Sequence, residues 1–202
     1  EHHSCAFTTG GAASCWGENT YGQLGDSTAT PRAHPVAVTG LGSSVSAMAG
    51  GRYHTCAIVA GAAMCWGQGG GGQVGDGGTS NRTAPTAVLG LGSGVTAIAG
   101  GENHSCALIT GGGMKCWGLN TSGQIGDGWR MHRLAPVTVA GLPETVTAFA
   151  LGLEHSCALT GGGAVKCWGN GALGQLGTGT SAKQPVAVQV TGLGAGVTAI
   201  TA

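Results

Sequence analysis

The sequence predicts an all-β fold of propeller type, an array of four roughly 50-residue, four-stranded blades in a single repeat domain over residues 1–202. Three observations predict it. One set of landmarks recurs four times in register. The apolar runs between them are short and β-rich, with no convincing helix. Glycine, at 43 residues, falls at fixed places between those runs, where turns belong.

The landmarks divide the chain into units of approximately 1–50, 51–100, 101–151 and 152–202. His-x-Cys stands at His3–Cys5, His54–Cys56, His104–Cys106 and His155–Cys157. Cys-Trp-Gly follows at Cys15, Cys65, Cys116 and Cys167, and Gly-Gln-φ-Gly begins at Gly22, Gly72, Gly123 and Gly174. Each unit closes on a Val-x-Ala segment, starting at Val45, Val95, Val146 or Val197. Residues 95–99, 104–108 and 114–117 each read as a short strand. Residues 136–139 read as a fourth, with Pro136 at its first position, where a strand tolerates proline.

Residues repeated in every unit are structural. Trp16, Trp66, Trp117 and Trp168 read as core anchors, each able to bury on the order of 150–250 Å². His3, His54, His104 and His155 read as hydrogen-bonded to neighbouring turns; a ring of equivalent histidines lies too far apart to share one ion. Asp26, Asp76 and Asp127 sit in Gly-Asp turns and read as Asx-type caps rather than calcium ligands.

The cysteines flank a turn in each unit. Folded as a hairpin, that turn sets Cys5 opposite Cys15, Cys56 opposite Cys65, Cys106 opposite Cys116 and Cys157 opposite Cys167. The second unit's turn is one residue shorter, yet the pairing survives. Opposed antiparallel residues lie within disulfide reach, so four staples are expected. Eight buried thiols and metal ligation are the alternatives, the latter weakened by the lack of a Cys-x-x-Cys or Cys/His quartet. Disulfides would place the protein in an extracellular or secreted setting, the cell surface included.

Composition removes several function classes. Eight Lys+Arg balance eight Asp+Glu, so no basic stripe exists for nucleic acid. Apolar runs fall far short of the roughly 20 residues that insert across a bilayer. The 42% hydrophobic content opposes disorder. The chain begins at Glu1 without methionine or signal peptide, which reads as a processed product or trimmed segment. No Ser/His/Asp set, P-loop or isolated carboxylate pair is found, so no enzyme, catalytic residue, metal site or cofactor is expected.

Residues 101–108 (GENHSCAL) and 117–126 (WGLNTSGQIG) closely match the pattern G-x-x-H-S-x-A-L … W-G-x-N-x-x-G-Q-L-G. In these residues the chain resembles the repeats of the regulator of chromosome condensation family along its whole length. That resemblance implies a β-propeller, typically of seven blades. Some members are nucleotide-exchange factors on chromatin; others, including secreted bacterial inhibitors of β-lactamase, only bind proteins. The chain departs from the pattern in having four units, in its paired cysteines, in Gly69 where Asn is usual, and in Thr178 where the other units have Asp.

Function should sit where the copies differ. The third unit carries Trp129, Arg130, Met131, His132 and Arg133 where the others are small and polar, and Trp and Arg are enriched at binding hot spots. The position before each His also varies, reading Glu1-His2, Arg52-Tyr53, Glu102-Asn103 and Leu153-Glu154. Trp129, Arg130, His132, Arg133, Arg52 and Tyr53 are therefore the partner-contact candidates. Asn81, Asn103 and Asn120 open N-glycosylation sequons of a kind expected by chance in this composition.

The chain starts inside a unit and stops after residues 197–202, which read as a strand that elsewhere leads into the next His-x-Cys. The array then closes within the chain, pairs with a second copy, or is completed by neighbouring chains into filaments. Seven-fold blades turn about 51° each, so four cover little more than half a circle and self-closure would be strained. Two readings follow: a secreted non-catalytic protein-interaction or assembly module, and a structural protein that self-assembles head-to-tail by strand complementation between termini. A guanine-nucleotide exchange factor-like regulator is a third, weaker reading. The partner is a protein or the chain itself, as homo-oligomer or polymer, with no nucleic acid and no membrane insertion.

Overall fold

A computed structural model describes residues 2–142 and 145–202; Glu1, part of the first variable position, lies outside them. Among the described residues, fifteen strands form four antiparallel sheets. The first sheet holds β1 (His3–Phe7), β2 (Ala13–Gly17) and β3 (Arg32–Ala37). The second holds β4 (Val45–Gly50), β5 (His54–Val59), β6 (Ala62–Gly67) and β7 (Arg82–Ala87). The third holds β8 (Val95–Gly100), β9 (His104–Ile109), β10 (Gly113–Gly118) and β11 (Arg133–Thr138). The fourth holds β12 (Val146–Leu151), β13 (His155–Thr160), β14 (Val165–Gly169) and β15 (Gln184–Gln189).

The sheets are out of phase with the sequence units. Each complete sheet takes its first strand from the end of the preceding unit, because hydrogen bonding, not the motif frame, decides which strands pair. The first sheet has only three strands for the same reason. Two expectations need correction. The fourth strand of the third sheet begins at Arg133, and Pro136 lies within it, where the register slips between Cys116↔Val137 and Gly118↔Arg133. A missing N–H is tolerated at such an irregularity on an edge strand. Residues 197–202 form no ladder, because no strand lies beside them to accept one.

The hairpins confirm the cysteine register. Cys5↔Cys15, Cys56↔Cys65, Cys106↔Cys116 and Cys157↔Cys167 are directly opposed. All four pairs are disulfides with Cα atoms 4.1 Å apart. The short second turn is a two-residue loop, Val59 pairing with Ala62. Its Ala60 and Gly61 both have positive φ, at 48° and 81°, as the turn matched to strand twist requires.

Neighbouring sheets are joined by one junction built three times. The tryptophan of each later sheet is fully buried: Trp66, Trp117 and Trp168. Their indole N–H groups donate to the carbonyls of Gln23, Gln73 and Gln124 in the preceding unit, each at 2.9 Å. The hydroxyls of Thr55, Ser105 and Ser156 donate to those same carbonyls at 2.8, 3.0 and 2.9 Å. One carbonyl with two lone pairs thus serves both donors. Gly25, Gly75 and Gly126 lie against the indoles; an added Cβ would stand 2.7, 2.7 or 2.6 Å from Nε1.

The histidines complete the junction. The Nε2 atoms of His3, His54 and His104 lie 2.8, 2.9 and 3.0 Å from the hydroxyl oxygens of Thr55, Ser105 and Ser156. Each hydroxyl proton is already given to a glutamine carbonyl, so each Nε2 must carry hydrogen and donate. Nδ1 is left as a buried lone pair with no partner at all three rings. His54 and His104 pack on Gly51 and Gly101, where a Cβ would come within 2.1 and 2.3 Å of Cε1. The sequence reading placed these histidines against turns; their partners are hydroxyls on the next sheet.

Two predictions follow from the hairpins and the junction. Replacing Cys106 and Cys116 together by Ala should lower unfolding free energy by roughly 2–3 kcal/mol, measured by denaturant titration. Burial, then the charge of neighbouring imidazoles, pushes His54 and His104 down to about 3 from an ordinary 6.5. Below pH 6.5 the unfolded chain therefore binds protons that the folded chain refuses. Stability should fall steadily as pH drops from 6.5 towards 3, because each ring must be protonated in the unfolded chain before it is in the folded one. Urea titrations at stepped pH should show this slope, and it should flatten in His104→Asn.

Candidate functional site

The register puts all the variable loops at one end of the array. Gly67↔His54, Gly118↔His104 and Gly169↔His155 are paired, so the loop entering each histidine strand and the loop leaving each tryptophan strand emerge together. The repeated motifs build the scaffold, and the departures from them are carried on this shared end.

Four loops, one from each unit, converge there. His2, Arg52, Glu102 and Leu153 line a single cleft of about 420 Å³. Arg52 forms an ion pair with Glu102, and its backbone N–H also donates to the Glu102 carbonyl at 3.2 Å. The guanidinium lies 5.0 Å from the Tyr53 ring centre. Tyr53 in turn meets Tyr21, ring centres 5.1 Å apart. An exposed ion pair of this kind, screened by solvent, contributes little to the stability of the fold. Its larger effect is to hold a cationic, aromatic surface in one geometry. A second cleft of about 290 Å³ adjoins it, lined by Glu102, Leu153, Glu154, His155, Asn170, Leu173 and Gln175. Leu173 is 93% exposed at its edge.

Trp129 and Arg130 stand on the separate loop of the third unit. Trp129 is 62% exposed. The base of that loop is fixed. The Asn120 amide donates to the carbonyls of Trp129 and Met131, both at 3.0 Å, and Asp127 Oδ1 accepts from the Trp129 N–H at 3.1 Å. Arg133 and His132 serve this base. Arg133 pairs with Asp127, and His132 Nδ1 accepts from the Asn120 N–H at 3.2 Å. Trp129, Arg130 and Met131 project from the tip. The structure thus groups Arg52 with Tyr53, sets Trp129 and Arg130 apart on their own loop, and employs His132 and Arg133 in holding that loop.

The Asp turns are capped as their sequence suggests, and more firmly. Asp26 and Asp76 accept from the backbone N–H two residues on, at 3.0 and 2.9 Å. Each also pairs with an arginine six residues on, Arg32 or Arg82. Burial works to raise the pKa of Asp26, but hydrogen bonds from Thr28, Arg32 and Asn19 outweigh it and hold the carboxyl below its usual range. The fourth unit has lost both partners together, with Thr178 and Gln184 at the two positions. The Gly69 departure also has a cause: a Cβ there would meet the Ser80 carbonyl oxygen at 2.1 Å, and Asn81 bonds the Gly69 N–H from across the loop. Asn120 is buried and fully bonded, which removes it as a glycosylation acceptor.

Sequence reasoning missed Tyr21 and Leu173. They occupy one position, just before Gly-Gln-φ-Gly, where the units read Tyr21, Gly71, Ser122 and Leu173. That variability inside a fixed motif was the available signal. Among the described residues, no group of three His, Cys, Asp or Glu side chains could hold a metal ion. Among those same residues, no helix is long and apolar enough to cross a membrane.

Antiparallel blades of three or four strands, joined by one repeated junction of buried side chains on a shared carbonyl, define a propeller-type repeat protein. The model of the regulator of chromosome condensation (RCC1) repeat matches residues 11–58, 61–108 and 112–159. The chain belongs to the RCC1 repeat family. It is 39% identical over 80 residues to the protein RCC2 homolog of Danio rerio, covering 38% of this chain and 16% of that protein. It is 36% identical over 78 residues to the mitochondrial RCC1 domain-containing protein RUG3 of Arabidopsis thaliana, 18% of which is covered. Human WBSCR16 superposes with a TM-score of 0.84 at 25% identity, over 95% of this chain and 51% of that one. Saccharomyces cerevisiae Prp20, solved with Kap60 bound, superposes with a TM-score of 0.82 at 23% identity, over 95% of this chain and 47% of that one. The chain spans about half the length of these solved structures and under a fifth of the curated relatives.

Asn120→Ala should release the third-unit loop. Amide hydrogen exchange should speed up across residues 127–133 while the β9–β10 ladder stays protected, with a stability loss of about 1–2 kcal/mol.

Proposed function

We propose that this chain is a non-catalytic, extracellular protein-binding scaffold whose contact surface is the loop end described above. The observation that carries the reading is the division of labour between repeated and variable positions. The His, Ser/Thr, Trp and Gln of the motifs are consumed in junctions, whereas Arg52, Tyr53, Tyr21, Leu173, Trp129 and Arg130 stand on one end. Arg, Tyr and Trp are the residue types that dominate binding hot spots. Four disulfides in a chain this poor in large core residues support an oxidising location.

Relatives support a binding role at a coarser level. Prp20 was solved bound to Kap60, and its binding to Gsp1p and histones has been described. At 22–23% identity that likeness carries the fold and no partner. An exchange-factor role for this chain therefore has no residue of its own to rest on.

The test is a partner screen in secreted fractions with defined controls. Arg52→Ala with Tyr53→Ala, or Trp129→Ala, should weaken retention of the partner at least roughly 30-fold. Ser93→Arg, at the opposite end, should leave it unchanged. Equal loss from both ends would sink the assignment of the surface. Eight titratable thiols in protein isolated without reductant would overturn the extracellular location.

A further inference from the structure

Sulfur is the most readily oxidised element in a protein, and this fold treats its sulfur atoms very differently. All eight cysteines are joined in disulfides, so no free thiol remains. The chain also carries four methionines. Met114 is 3% exposed, in the core cluster that holds Trp168. Met48 and Met64 are half-buried and pack on the cluster around Trp66. Met131 is 67% exposed and lies outside the four core clusters.

Met131 stands where the other units have Thr30, Ser80 and Ala182. Its backbone does the ordinary work of that position. The Asn120 amide donates to the Met131 carbonyl at 3.0 Å, as the Asn19 amide donates to the Thr30 carbonyl at 3.1 Å. The loop is seated on the fourth sheet, where the Gly128 N–H donates to the Pro185 carbonyl at 2.8 Å. The Met131 side chain takes no part in this. It projects into solvent with Trp129 and Arg130, on a base held in one geometry.

We infer that Met131 is an oxidation site, and that a peroxide acting there turns the loop tip from apolar to polar. A lone pair of the thioether sulfur attacks one peroxide oxygen. The O–O bond breaks and an S–O bond forms. The transferred oxygen gives its proton to the departing hydroxide, which leaves as water. Sulfur is oxidised by loss of an electron pair, and the peroxide is reduced. The product, methionine sulfoxide, is polar and chiral where the thioether was flexible and apolar.

Two features direct the oxidant to this atom. Its sulfur is open to solvent, whereas the other thioethers are covered by packed side chains. A low-pKa thiolate would otherwise compete for the peroxide, and every cysteine here is sealed in a disulfide. The fold is indifferent to the change, because Met131 is anchored through its carbonyl and contributes nothing to a core. The surface is not, since the sulfoxide replaces apolar area beside Trp129 with a strong hydrogen-bond acceptor. The consequence for partner binding rests on the reading of the loop end as the contact surface; the oxidation itself does not.

The test treats the 202-residue chain, disulfides intact, with hydrogen peroxide and follows each methionine by peptide mass spectrometry. Met131 should gain an oxygen at least about tenfold faster than Met114, with Met48 and Met64 between them. The urea unfolding midpoint should not move. The oxidised chain should elute earlier from a phenyl matrix than the untreated one. Met131→Leu should abolish that response to peroxide, and Met131→Gln should elute early without treatment. Equal oxidation of the four methionines, or first attack at another of them, would overturn the site. Selective oxidation of Met131 with unchanged elution would overturn the change of surface. Partner retention is read separately and should fall on oxidation of the wild-type chain but not of Met131→Leu. Retention that survives oxidation, yet is lost in Trp129→Ala, would overturn the link to binding and leave the loop-end reading standing. Retention that survives both would count against the loop-end reading instead.

Discussion

The structure depends on one backbone carbonyl per junction. Gln23, Gln73 and Gln124 each present an oxygen that takes an indole N–H and a hydroxyl from the next sheet. A histidine behind the hydroxyl then fixes its direction. Apart from the half-buried His3, these groups are buried, so leaving any one unpaired would cost about 1–3 kcal/mol. This is why four motifs separated along the chain are held in common register. They are parts of one contact, and the contact joins different units.

That contact also explains the glycine content. Gly25, Gly75 and Gly126 lie under indoles, and Gly51 and Gly101 lie under imidazoles, with no room for a Cβ. A propeller-type array made of thin sheets with small residues has a modest core, divided among four clusters rather than one. Stability must then come from other constraints as well, and each hairpin supplies a disulfide across its middle. The staples act within sheets and the carbonyl junctions act between them. The two are complementary, since neither alone would hold a strand hairpin against its neighbour.

Variation is confined to what this frame leaves free. The Asp–Arg pair of the turn was retained in three units and lost at both positions in the fourth, which is the behaviour of a coupled pair. Arg133 belongs to that pair, and only Trp129, Arg130 and Met131 are additions at the loop tip. The Arg52–Tyr53–Tyr21 cluster forms from loops of adjacent units, so no single unit contains it.

Much was legible in the amino-acid order alone. Period, strand content, the cysteine pairing and the Asx turns all follow from local rules: two-residue alternation, turn chemistry, and the fixed opposition of residues across a hairpin. Even the shortened turn at Ala60 and Gly61 could be read, because the cysteines on either side stayed opposed. What only the tertiary structure decided is everything that crosses between units. The histidine partners, the shared glutamine carbonyls, the Tyr21 contact and the unpaired state of residues 197–202 depend on which sheets become neighbours. Sequence distance carries no information on that for groups some fifty residues apart. A strand-like sequence becomes a strand only when a neighbouring backbone supplies its hydrogen bonds, and for the last segment no such neighbour is present.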